Sequence, residues 1–275
     1  MNIIEANGAR IPALGFGTYR MSGAEIMETL PQALRLGFRH VDAAQIYGNE
    51  DAVGEALRSA GVPREDMFLT TKVWVTNFAP DRFEASVAES LRKLGTDHVD
   101  LLLLHWPNGS EVPRDTQIAL LNTMREKGLT RHIGVSNYST ALMREAVALS
   151  AAPLVNNQVE FHPWLDQSAV LSEARNLGLS VTGYFAMANG RTPGDPVLQE
   201  IGAKYRKSAA QVALQWMTRH DGVVALTKTA RPERLEENFN VFDFELSQQD
   251  MASIADLAEP DGRIVLEPEL APDWD

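Results

Sequence analysis

Residues 67–106 read MFLTTKVW, then VTNFAPDRFEASVAESLRKLGTDH, then VDLLLLHW: two short apolar runs enclose a stretch, Pro80 to Leu94, with apolar residues every three or four positions. A continuous apolar run next to a helical repeat reads as a strand buried on both faces, and strand–helix–strand is the unit of a parallel sheet. The alternation extends outward in both directions. Strand-like runs fall at Leu14–Thr18, His40–Ala44, Met67–Trp74, Val99–Trp106, Arg131–Asn137, Leu154–Phe161, Leu179–Phe185 and Gly222–Lys228. Helical periodicity fills Ala24–Leu36, Glu50–Ala60, Pro80–Leu94, Asp115–Lys127, Ala141–Ser150, Ser168–Leu177 and Ser208–Arg219, the last opened by the capping-box pair Ser208 and Gln211. Eight such units predict an α/β chain folded as one (β/α)8 TIM barrel domain spanning residues 1–275. A doubly wound sheet is the rival. It calls for a G-x-G-x-x-G turn after its first strand, and here Gly15-x-Gly17 runs into Thr18, Tyr19 and Arg20. Ahead of the barrel, Asn2–Ala6 and Arg10–Ala13 flank Asn7-Gly8, the signature of an N-terminal β-hairpin.

Composition narrows the function. With 25 Lys and Arg against 37 Asp and Glu, the chain carries a net charge of −12, which repels phosphate backbones and anionic lipid, so nucleic acid and membrane are not expected partners. No Cys is present, which removes disulfides, thiolate metal sites and cysteine nucleophiles. The N-terminus lacks a basic segment followed by an apolar one, and Leu101–Leu104 is too short to span a bilayer, so a cytoplasmic monomer is the expectation.

In a barrel the C-terminal strand ends carry the active site. There the chain places Asp42, Lys72, His105, Ser136 with Asn137, Gln158 with Glu160, Tyr184 and Lys228. Each alone also reads as a solvated loop residue or a structural ion pair. Asp42, Lys72 and His105 come from three successive strands, however, so an acid, a base and an imidazole converge. Tyr47, five residues past Asp42, is placed to fold back over the mouth as a proton donor. A free phenol is a weak acid, and the Lys72 ammonium, held charged by Asp42, is expected to lower its pKa. Packing alone is the competing reading of Tyr47.

The ordered motifs Gly37-Phe-Arg-His-Val-Asp42-Ala-Ala-x-x-Tyr47-x-Asn-Glu50, Thr71-Lys72, Leu-Leu-His105-Trp106-Pro107, Ile133-Gly-Val-Ser136-Asn137, Asn157-Gln158-x-Glu160-x-His162-Pro163 and Lys228-Thr229-x4-Arg234-x2-Glu237-Asn238 span almost the whole chain and resemble the aldo-keto reductases. The resemblance implies an NADPH-dependent carbonyl reductase with Tyr47 as general acid, Lys72 and Asp42 tuning it, and His105 orienting a small carbonyl substrate. It also implies cofactor contacts from Thr18, Ser136, Asn137, Gln158, Tyr184, Lys228, Thr229, Arg234, Glu237 and Asn238. Ser136, Asn137 and Gln158 match carboxamide-binding positions, and Tyr184 matches the ring stacked on the nicotinamide. Independently, Lys228, Thr229 and Arg234 have the spacing of a 2′-phosphate socket, with a solvated helix start as the alternative.

Two departures stand out. After Tyr184 the chain reads Phe185-Ala-Met-Ala-Asn-Gly-Arg191 where many members have Ser-Pro, so the grip on the pyrophosphate is altered. The tail ends early at Ala271-Pro-Asp-Trp-Asp275, which predicts an open pocket and resembles bacterial 2,5-diketo-gluconic acid and methylglyoxal reductases. Tyr19, Trp74, Trp106 and Phe161 are candidate walls for the substrate, each equally readable as packing. Glu160 and His162 lack further ligands, so no metal is expected. The rival function is a non-catalytic NADP(H)-binding, redox-sensing subunit on the same fold. A Schiff-base aldolase requires an unpaired Lys72, which Asp42 argues against.

Overall fold

The structure, a computed structural model, describes residues 2–275. A hairpin of β1 (Ile3–Ala6) and β2 (Ala9–Pro12) precedes eight parallel strands: β3 (Leu14–Gly17), β4 (His40–Asp42), β5 (Phe68–Val73), β6 (Val99–Leu104), β7 (Thr130–Ser136), β8 (Leu154–Glu160), β9 (Ser180–Tyr184) and β10 (Val223–Thr227). They pair in chain order and β10 returns to β3, closing the barrel. The helices are α1 (Gly23–Leu36), α2 (Glu50–Ala60), α3 (Pro80–Leu94), α4 (Arg114–Glu126), α5 (Thr140–Leu149), α6 (Ser168–Asn176), α7 (Pro196–Tyr205), α8 (Ala209–Arg219), α9 (Leu235–Phe239) and α10 (Gln248–Ala255).

The reading of β6 as buried on both faces follows from its pleat. Leu102 and Leu104 pack in the large cluster beneath the helices, whereas Leu101 and Leu103 join Phe68, Val155 and Val224 in a second cluster inside the barrel. That second cluster also holds Ala9 and Ile11, so the hairpin plugs the N-terminal end of the barrel. Its turn is the one the sequence demands: Asn7 and Gly8 have φ of 44° and 88°, both left-handed. Asn7 Nδ2 then donates to Leu154 O at 2.7 Å, tying the hairpin to β8.

The predicted segments match the observed ones to within two residues. The helices α7, α9 and α10 were not among them. In α7 the interior Gly202 masks the periodicity, yet that glycine is required, because a Cβ there would lie 2.3 Å from Lys207 O. The start signal was legible: Asp195 accepts from Leu198 N at 2.9 Å, and Pro196 follows at the first helical position. No helix among the described residues is long and apolar enough to cross a membrane.

Candidate active site

The C-terminal strand ends surround a cavity of about 950 Å³. Asp42 ends β4 and Lys72 lies on β5, and both side chains are buried. Lys72 directs its three protons to Asp42 Oδ1 at 2.6 Å, Ala43 O at 2.9 Å and Tyr47 Oη at 3.1 Å. Asp42 Oδ2 accepts from Gln158 Nε2 at 2.8 Å, so both of its oxygens are engaged. Tyr47 sits in the single 3-10 turn Gln45–Tyr47. That loop is held by Asn49, whose Nδ2 donates to Thr18 O at 2.9 Å and Met21 O at 3.0 Å, and by Gln45, whose Oε1 accepts from Trp74 N at 2.9 Å. His105, beyond β6, turns its ring edge-on to Tyr47 and Trp74, with centroids 5.8 and 5.2 Å away.

Burial decides the protonation states. It pushes the Tyr47 phenol well above its ordinary pKa, and the Asp42 carboxylate adds to that. This reverses the expectation that Lys72 lowers it. The Lys72 charge is neutralised by Asp42 at 2.6 Å, so the pair offers Tyr47 little net field and desolvation dominates. Lys72 itself is drawn below its usual value by burial, against the opposing pull of Asp42. Burial, reinforced by the Lys72 ammonium, holds His105 well below the ordinary imidazole value, so its ring is neutral at pH 7. The arrangement therefore holds a protonated phenol beside an ammonium and a neutral imidazole at the floor of one cavity. Such an arrangement can supply a proton to an oxyanion that develops in the cavity.

A model of the aldo/keto reductase family matches residues 13–259. The chain belongs to the aldo/keto reductases. It is 39% identical over 267 residues to the methylglyoxal reductase DkgB of Escherichia coli O157:H7, covering 96% of this chain and 99% of the relative. The glyoxal reductase of Bacillus subtilis is 37% identical over 259 residues, covering 94% and 92%. A crystal structure whose assignment as a 2,5-diketo-D-gluconic acid reductase B is provisional superposes with a TM-score of 0.99 at 60% identity, covering 100% of this chain and 98% of that one. An aldo-keto reductase of Bombyx mori in complex with NADP superposes at 0.90 with 30% identity, covering 97% and 95%. This reductase is accordingly an oxidoreductase on the family's barrel.

The other site residues divide. Ser136, Asn137, Gln158 and Tyr184 line the cavity with their polar groups joined: Ser136 Oγ donates to Gln158 O at 2.8 Å, and Tyr184 Oη donates to Asn137 Oδ1 at 2.7 Å. Tyr19, Trp74 and Trp106 line it too. Phe161 does not. It is packed under α8, 4.9 Å from the Trp216 ring and 5.4 Å from His220, because it follows the outward-facing Val159 in the pleat of β8. Thr18 also faces away from the cavity, in phase with the outward Leu14 and Phe16, and its Oγ1 donates to Asp42 O at 2.9 Å. Thr18 thus braces β3 against β4.

On the β10 side, Lys228 lines the cavity and Arg234 is exposed at the start of α9. Thr229 is buried with its hydroxyl bonded to the Arg231 backbone, while Glu237 and Asn238 lie within α9. Arg20, which the sequence reading passed over, also lines the cavity, and its charge joins burial in lowering the Lys228 pKa. Neither these two cations nor Arg234 forms an ion pair among the described residues. Arg20 and Lys228 together at the mouth of a −12 protein fit the phosphates of a dinucleotide, with Glu25 offsetting part of the Lys228 charge. Phe185, at the altered pyrophosphate position, is left-handed with φ 63° and stands 6.3 Å from the Tyr19 ring.

The tail also corrects expectation. Though short, it crosses the mouth, and Ile264, Val265, Leu266, Glu267 and Leu270 form one wall of the cavity. Their irregular conformation gave the sequence no periodic signal to read.

Proposed function

We propose that this reductase uses NADPH to reduce small aldehydes, ketones and keto-acids or keto-sugars to alcohols. NADPH, when bound, supplies the hydride. Ser136, Asn137, Gln158 and Tyr184 would hold its nicotinamide end, and Arg20, Lys228 and Arg234 its phosphates. His105, neutral, donates a hydrogen bond to the substrate carbonyl oxygen and polarises it. Tyr47 keeps its proton at neutral pH because burial raises its pKa, and releases it to that oxygen as alkoxide character develops. Lys72 Nζ, 3.1 Å from Tyr47 Oη, stabilises the phenolate left behind, and solvent returns the proton after product leaves. Asp42 keeps Lys72 charged in a site that otherwise disfavours it.

The observation that carries this reading is the Asp42–Lys72–Tyr47 chain at the cavity floor. A subunit that only senses its cofactor has no use for a buried proton donor aimed at substrate. Similarity to methylglyoxal and glyoxal reductases favours small dicarbonyls. The test is NADPH oxidation by the purified protein with methylglyoxal, a keto-sugar acid and an aryl aldehyde. Turnover of at least one is expected, and no turnover of any overturns the reading.

A further inference from the structure

Glu160 ends β8 inside the barrel, with no exposed side-chain surface and no arginine or lysine bonded to it. Its carboxylate is satisfied from elsewhere. Oε1 accepts from Ile264 N at 2.6 Å and from His162 Nε2 at 2.8 Å, and Oε2 accepts from Val265 N at 2.8 Å. Two consecutive backbone amides of the C-terminal tail therefore reach past the barrel rim to one buried carboxylate. Backbone amides outside regular structure must find their acceptors elsewhere, and hydrogen bonds to a charged acceptor are the stronger kind.

The same two residues, Ile264 and Val265, put their side chains into the wall of the cavity that holds Tyr47 and His105. Just upstream the path of the chain is fixed by Gly262, where a Cβ would lie 1.7 Å from Trp164 O. Downstream the tail is fastened by Asn108 Nδ2 to Ala271 O at 2.8 Å, and by Asp275, whose carboxylate accepts from Thr140 N and Oγ1 at 2.8 and 2.6 Å. Between these anchors, among the described residues, the hydrogen bonds that tie the segment to the strand ends are those to Glu160, alongside the apolar packing of Ile264, Val265 and Leu270.

We propose that Glu160 is a positioning residue for the carbonyl substrate: it latches the tail through the Ile264 and Val265 amides and so sets one wall of the pocket. The proposal rests on the carbonyl-reductase reading for its kinetic consequence, while its structural half stands on the latch alone. The residues that the latch holds, Ile264 and Val265, are assigned no cofactor contact, although Gln158 lies two residues before Glu160 on β8 and Tyr184 is its neighbour on β9; the other nicotinamide and phosphate residues lie at the end of β7 and in the segments after β3 and β10. Loosening it should therefore weaken substrate binding and spare the cofactor.

The test has two arms. Glu160→Gln turns one carboxylate oxygen into an amide NH2 that faces either the Val265 N–H or the Ile264 and His162 N–H groups, and loss of a charge-assisted bond is worth roughly ten- to hundredfold. Hydrogen exchange of the Ile264 and Val265 amides should accelerate by about that factor. In steady state KM for methylglyoxal should rise about tenfold or more, with kcat within about threefold and NADPH affinity within about twofold of the parent. Should that variant fail to fold, Val265→Pro removes one latch donor from the tail without touching the barrel, and Val265→Ala, which keeps the N–H, isolates the side chain's share. Val265→Pro should raise KM well beyond Val265→Ala. Unchanged exchange in Glu160→Gln, equal effects of the Pro and Ala variants, or a parallel loss of NADPH affinity overturns the proposal. If the parent reduces no carbonyl, the reductase reading fails and the exchange arm still decides the latch.

Discussion

Lys72 has no proton to spare: Asp42, the Ala43 carbonyl and Tyr47 take all three. Lys72→Met keeps the volume and removes the charge, so Asp42 is left as a buried carboxylate held only by Gln158. Turnover should collapse and the fold should lose ~3–5 kcal/mol, read as the shift in denaturant midpoint. Retained activity would mean that Tyr47 is assisted by another group. The identity of these residues was legible because each is a polar group at the end of an otherwise apolar run. The direction of the Tyr47 pKa was not, since it depends on distances and burial that spacing does not encode. His40, which lacks any motif context and reads as structural or surface, is buried against Thr70, 3.1 Å from its Oγ1, and burial lowers its pKa to about 4. Between about pH 4 and 6.5 the unfolded chain binds a proton that the folded chain refuses, so His40 makes stability rise with pH and fall on acidification. His40→Asn should remove roughly 2 kcal/mol of the parent's loss between pH 7 and pH 5. An identical acid loss in both proteins, measured by urea midpoints, would contradict this.

At the scale of the strand, the pleat sorts function from packing. Asp42, Lys72, His105, Gln158 and Tyr184 all occupy inward positions of their strands, in phase with residues that face the barrel interior, such as Phe68 before Lys72 and Leu103 before His105. Counting in twos along β8 and β3 from the outward Val159 and Phe16 would have excluded Phe161 and Thr18 from the pocket, while Trp106, past the end of β6, lines the cavity out of that phase. Aromatic chemistry at a strand end was the misleading signal. Phe161→Ala should therefore behave as a core truncation: the contacts with Trp216 and His220 are lost, at a cost of ~3–5 kcal/mol. KM for the carbonyl should stay within about threefold of the parent in native buffer. A large KM change without loss of thermal stability would return Phe161 to the pocket. The tail was illegible for a different reason. Its wall is built from backbone amides on Glu160, and amides are present in every sequence.

Across the whole molecule, a net charge of −12 coexists with Arg20 and Lys228 at the cavity mouth and with exposed Arg234 in the segment after β10, none of them in an ion pair among the described residues. Such a focus of positive charge on an acidic surface attracts an anion to one place. Arg234→Ala should weaken NADPH by roughly 10- to 150-fold while leaving NADH nearly unchanged, since only NADPH carries the 2′-phosphate. Titration of both nucleotides by quenching of the five tryptophans measures this, and equal weakening of both would move the phosphate socket elsewhere. The central claim is that the cavity floor delivers a proton from Tyr47 to a reduced carbonyl. The most direct measurement is the rate of NADPH oxidation with methylglyoxal by the parent and by Tyr47→Phe, which keeps the ring and deletes its proton. The account predicts that kcat falls on the order of 10² or more with NADPH affinity unchanged; a kcat for Tyr47→Phe within about threefold of the parent would contradict it.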